Sequence, residues 1–116
     1  MLTLPIKKKW FDMILSGEKK EEYRTFNEYY RKRFQTIGLI DNEGHLTDNN
    51  ARIILRNGYG KNVPYAYVIV GLEVGYGYEK WGADPNEIYY ILRIRNVFAP
   101  SLYERCNDKD GEKENA

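Results

Sequence analysis

The stretch Ala66-Tyr67-Val68-Ile69-Val70-Gly71-Leu72-Glu73-Val74 carries no charge before Glu73 and is dominated by β-branched and aromatic residues. Such side chains fit a pleated, half-buried surface and lose rotamer freedom in a helix, so the composition predicts a strand. With a side-chain period of two, Ala66, Val68, Val70, Leu72 and Val74 share one face, and Tyr67, Ile69, Gly71, Glu73 and Gly75 share the other. A bulge at Gly71 would reverse that phase. Two further segments of like composition, Ala51 to Leu55 and Ile88 to Phe98, are set off by Gly, Asn, Asp and Pro, with no helical segment between them. The second half of the chain therefore reads as β.

Upstream the period changes. Leu2, Leu4 and Ile6 alternate with Thr3, Pro5 and Lys7 as in a short strand, Pro5 marking an edge or terminal position. From Lys8 to Glu18 the apolar residues Trp10, Phe11, Ile14 and Leu15 recur at helical spacing, and Gly17 is placed to end the helix. Lys20 to Thr25 is a short charged segment with Tyr23 as its one large apolar body. Asn27 is positioned to cap a second helix running to about Gln35, with Tyr30 and Phe34 four apart. Residues 41 to 50 are turn formers and predict a polar connection. Helices early and strands late define an α+β chain.

A chain of 116 residues buries one core without disulfides or metals. Its 42% hydrophobic and 30% charged residues, with a mean hydropathy of -0.69, exclude the disordered and membrane classes. Cys106 is the single cysteine, so no intrachain disulfide forms, and no apolar run has the length of a signal peptide or membrane span. The expected setting is the cytoplasm, without a membrane partner. His45 is the single histidine, which leaves no Cys/His set with metal-ligand spacing, and neither a metal nor another cofactor is expected. With a formal net charge of +1 the chain as a whole lacks the strong basic excess of a protein that holds nucleic acid by counterion release alone. Residues 1 to 36, however, hold nine basic against five acidic side chains, a local excess of +4. Residues 107–116 have no apolar residue large enough to anchor them and read as a flexible polar tail after a single domain over 1–106.

The segment Gly17-Glu18-Lys19-Lys20-Glu21-Glu22-Tyr23-Arg24 places a helix-ending glycine before a dense ionisable run. Extended from Lys20, it puts Lys20, Glu22 and Arg24 on one face and Glu21 and Tyr23 on the other, with Lys19 at the turn. Glu22 and Arg24 are then placed to pair, while Lys19 on the rim stays open to an anionic group. Glu73 has glycines on both sides along its own face, which lets a ligand come close; its carboxylate is suited to act as a base or to accept from a nucleobase amino group. Arg93 or Arg95 offers it a purely structural partner instead. Tyr59, Tyr76, Tyr78, Tyr89 and Tyr90 fall where a cleft would be framed and resemble stacking platforms, although strands also favour tyrosine for packing. Trp10 reads as core, Trp81 beside Gly82 as an exposed aromatic contact, and Lys7, Lys8 and Lys9 as an exposed run.

Gly17, Lys19, Glu22 and Arg24 match the Gly-x-Lys-x-x-Glu-x-Arg signature of ASCH domains, a branch of the PUA-like superfamily, and the chain resembles that family from Leu4 to about Val97. The likeness includes the Trp10-Phe11 helix and the Asn57-Gly58 turn after a hydrophobic strand. It implies a small PUA-like β-barrel of about five to six strands with two helices packed at one end. It also implies a cleft for single-stranded RNA or a nucleotide-like small molecule, with Gly17, Lys20, Arg24, Asn57 and Tyr59 as ligand-binding positions. Some members resemble amidohydrolases of acylated cytidine and others single-strand ribonucleases. That likeness makes Lys19, Glu22 and Glu73 the catalytic candidates, with Glu22 standing where the amidohydrolases carry a threonine; a carboxylate does not replace a hydroxyl nucleophile. Three functions follow as expectations: an RNA- or nucleotide-binding module, a hydrolase of RNA or of a modified nucleoside, and a protein interaction domain.

Overall fold

In the computed structural model, which describes residues 1–99, the stretch Ala66–Val74 lies within the longest strand of a five-stranded sheet. Cys106 and the expected tail at 107–116 lie outside the described residues. The order along the chain is β1 (Thr3–Ile6), α1 (Lys8–Ser16), β2 (Glu21–Thr25), α2 (Glu28–Thr36), β3 (Ala51–Asn57), β4 (Tyr65–Tyr76), a single 3-10 turn (Glu79–Trp81) and β5 (Ile88–Phe98). In space the strands run β1-β3-β4-β5-β2; β1 is parallel to β3 and the other pairs are antiparallel. The mixed sheet curls into a half-barrel whose two edges are β1 and β2, the short charged segment thus forming a full edge strand.

The period-two reading holds over the middle of β4. Ala66, Val68, Val70 and Leu72 face the core, with Ile53, Leu55 and Leu92 beside them, while Val74 is 41% exposed because the strand runs on past the core. Each fully buried aliphatic side chain contributes about 1.5–3 kcal/mol relative to exposure. The irregularity lies on the neighbouring strand: the register with β5 passes from Ile69–Asn96 to Val70–Ile94, so Arg95 is the extra residue. Gly71 makes room for it, since a Cβ there would stand 3.2 Å from Arg95 Nη2 and 3.1 Å from Asn50 Oδ1.

Asn27 caps α2, its side chain accepting from the Tyr30 amide at 3.0 Å, and Glu28 and Arg33 sit at the ends of the helix that favour their charges. Phe34 on this helix is wholly buried and meets Tyr90 edge to face at 5.3 Å. Helix α1 buries Phe11 and Ile14 and stops at Gly17, whose φ of 87° lets its N–H reach the Ile14 carbonyl. No atom lies within 4 Å of a Cβ built on Gly17, so Gly17→Ala carries backbone strain alone. We expect about 1–2 kcal/mol of lost stability, read as a lower urea midpoint with unchanged slope. No helix among the described residues is long and apolar enough to cross a membrane.

Candidate functional site: a cationic seam between the sheet edges

Edge strands β1 and β2 are joined by a side chain instead of a backbone ladder. Arg24 Nη2 donates to the Pro5 carbonyl at 2.9 Å and to Glu22 Oε2 at 2.9 Å, and Nη1 reaches the Tyr30 hydroxyl at 3.3 Å. Glu22 pairs laterally with Leu92 and, through it, with Leu72, so Glu22 and Arg24 look into the half-barrel. Above them opens a hollow of about 360 Å³ lined by Pro5, Ile6, Lys7, Trp10, Glu22, Arg24, Gly58 and Tyr59. The Nε–H of Arg24 is buried without a hydrogen-bond partner among the described residues. Buried donors are nearly always paired, so this one is an unspent contact in a residue that lines the hollow.

Lys19 is not on the rim. It is 1% exposed, its ammonium donating to the Trp81 carbonyl at 2.6 Å and standing 3.4 Å from Glu22 Oε1. The rings of Tyr23 and Trp10 close around it, with centroids 4.8 and 5.2 Å from Nζ. Burial pulls its pKa below the ordinary lysine value, against the opposing pull of Glu22. The carboxylate of Glu22 is thus shared, one oxygen toward each cation. One anion for two cations, with Lys7 also lining the hollow, leaves the seam with excess positive charge.

Glu73 does not join this group. It is registered with Ile91 and Tyr23, one residue out of phase with Glu22, and therefore projects from the opposite face of the sheet. There Arg93 holds it by two hydrogen bonds of 2.8 and 2.9 Å and keeps its carboxyl below the usual range. Arg93 also reaches Glu21 at 3.2 Å, and Glu21 accepts from the Tyr23 hydroxyl at 2.8 Å. The Tyr23 oxygen in turn accepts from the Tyr78 amide at 2.9 Å and so anchors the loop that carries Trp81. Burial raises the Tyr23 pKa well above 10.0, with the adjoining Glu21 carboxylate reinforcing the shift. A phenol whose pKa is raised by folding stabilises fully below its unfolded value and loses that contribution as pH climbs. We expect stability to fall above about pH 10, and Tyr23→Phe to flatten that fall in urea titrations across about pH 9 to 11.

Of the expected ligand positions, Arg24 and Tyr59 line the hollow. Tyr59 is 87% exposed at its mouth. Asn57 ends β3 and shapes the following turn, where Gly58 has a φ of 89°. Gly17 serves as the cap of α1, and Lys20 is exposed, its carbonyl receiving the Ile94 amide. Tyr89 and Tyr90 are packed inside, and Tyr76 and Tyr78 are exposed away from the hollow's lining. Trp10 packs against the core as expected, whereas Trp81 is less exposed than expected. Trp10 is half-buried at the edge of the core and lines the hollow, and Trp81 is half-buried with its carbonyl spent on Lys19. Lys7, Pro5 and Trp81 are participants that the motif does not mark. Asp41, Glu43 and His45 come within 4.8 Å of one another in the exposed 41–50 loop, where Asp41 Oδ1 accepts the Glu43 and His45 amides and orders the turn.

The fold and site define an α+β half-barrel with a buried Lys-Glu-Arg relay at its seam. Comparison with family models, with curated proteins and with solved structures returns no match to the chain.

Proposed function

We propose that the chain is a PUA-like domain of the ASCH type whose seam hollow holds one nucleotide unit, either free or as part of single-stranded RNA of the cytoplasm. The observation that carries this reading is the shared carboxylate: Glu22 opposes both Lys19 and Arg24, and Arg24 keeps a buried, unspent Nε–H. A phosphate suits the charge excess. Trp10 and Tyr59 supply aromatic surface on which a base stacks. The hollow, at about 360 Å³, is sized for a small ligand and not for a folded partner. Arg24 is the binding residue; Glu22 fixes its guanidinium, and Lys19 fixes Glu22 from behind.

Binding is favoured over hydrolysis because the three catalytic candidates are committed elsewhere. Lys19 is sealed by Trp81 and Glu22, Glu22 is neutralised from both sides, and Glu73 belongs to Arg93 on the other face. The test is calorimetric titration of the full chain with cytidine monophosphate. A charge-assisted hydrogen bond contributes about 1.5–3 kcal/mol, so Arg24→Ala is expected to weaken binding by about 10- to 150-fold. Equal affinity of the variant and the parent overturns the assignment.

A further inference from the structure

The outward face of the sheet carries a second array that the seam does not use. Register aligns Arg56 with Tyr65, then Ile54 with Tyr67 and Phe98, then Arg52 with Ile69 and Asn96, in three successive rows. A hollow of about 680 Å³ is bounded by Arg52, Tyr67, Arg95 and Phe98 among others, and one of about 240 Å³ by Arg56, Tyr65 and Tyr67 among others. Tyr67 borders both, so the two form one strip. The rings of Tyr67 and Phe98 are nearly parallel, 12° apart with centroids separated by 6.5 Å, and the Arg52 guanidinium stands 5.1 Å over Tyr67. Phe98 is 62% exposed.

Charge decides what such a strip receives. No carboxylate is among the described residues lining either hollow. Glu73, further along the same face of β4, is held by Arg93, and Arg95 borders a smaller hollow that it shares with Glu73 and Asp48. Arginines flanking flat aromatic surface match a polyanion that also presents flat rings, which is single-stranded nucleic acid. A second copy of this chain fits poorly, since a two-fold contact sets the arginines of one strip against those of the other. An acidic peptide satisfies the arginines but leaves the rings without partners. A duplex hides its bases from a sheet surface.

We propose that this outward face is a second platform for single-stranded nucleic acid, with bases stacked on Tyr67 and Phe98 and phosphates held by Arg52 and Arg95. It stands on the opposite side of the sheet from the seam and does not depend on the nucleotide reading of that site.

Fluorescence anisotropy of a short labelled oligouridylate, titrated with the full chain, tests it. Phe98→Ala removes an exposed ring without touching the core, and Arg52→Ala/Arg95→Ala removes charge; both are compared with the parent and with Arg24→Ala, which silences the seam. Phe98→Ala is expected to weaken binding by about five- to 150-fold, the loss of one stacked base. The double arginine variant is expected to weaken it and flatten its salt dependence, and Arg24→Ala to leave these differences in place. Were Arg24→Ala to misfold, the parent saturated with cytidine monophosphate serves instead. Equal affinity across the surface variants overturns the proposal. So does competition by polyglutamate as strong as by unlabelled oligouridylate, or a dimer in sedimentation that Phe98→Ala dissociates.

Discussion

Replacing Glu22 with alanine is expected to lower the stability of the fold by about 3–5 kcal/mol, because it strands two cations at once. The side chains of Lys19 and Arg24 are 1% and 13% exposed, and the carboxylate between them is their shared counterion. Lys19 keeps only the Trp81 carbonyl and two ring faces once Glu22 is gone. Adding Lys19→Met to Glu22→Ala removes one stranded charge, so the double variant is expected to recover part of the loss. Urea denaturation of the parent, both single variants and the double variant closes the cycle. Simple addition of the two single losses contradicts the relay.

Gly77→Ala is expected to cost about 1–3 kcal/mol by overpacking, and to do so through the site. A Cβ on Gly77 falls 2.7 Å from the ring of Tyr23 and 2.7 Å from Ala83 Cβ, and neither is the end of a flexible side chain. If the Tyr23 ring moves, its hydroxyl leaves Glu21 and the Tyr78 amide, and the turn that presents the Trp81 carbonyl to Lys19 loses its anchor. Gly75→Ala is the matched control. Its Cβ meets Ile91 Cδ1 at 3.7 Å, an ordinary contact, so its effect is expected to stay within about 0.5 kcal/mol. Chemical denaturation followed by tryptophan emission reports both, and equal losses at the two glycines contradict the packing described here.

Local physics made much of the fold legible before any coordinates. The alternation of Ala66, Val68, Val70 and Leu72, the helical spacing of Phe11 and Ile14, the Asn27 cap and the Gly17 stop each follow from neighbours a few residues apart. So does the Glu22–Arg24 pair, two residues apart on one strand edge. What stayed hidden depends on distant chain. Lys19 is covered by Trp81, 62 residues away, and no local pattern distinguishes a lysine at an open turn from one beneath a returning loop. Trp10 lies on the apolar side of its helix, but whether that side meets core or hollow depends on where Gly58 and Tyr59 turn. The contact of Arg24 with Pro5 exists because the sheet curls, which is a property of five strands together. Glu73 was open between a ligand and an arginine, and the β4–β5 register brings it beside Arg93, with which it pairs.

The most direct measurement is a nitrogen-labelled amide and guanidinium NMR titration of the full chain with cytidine monophosphate. The expected result is movement of the Arg24 Nε–H, the Gly58 and Tyr59 amides and the Trp10 indole, with the amides of β4 beside Glu73 unmoved. Saturable shifts confined to the outward face around Tyr67, or none anywhere at millimolar ligand, would contradict a nucleotide site at the seam.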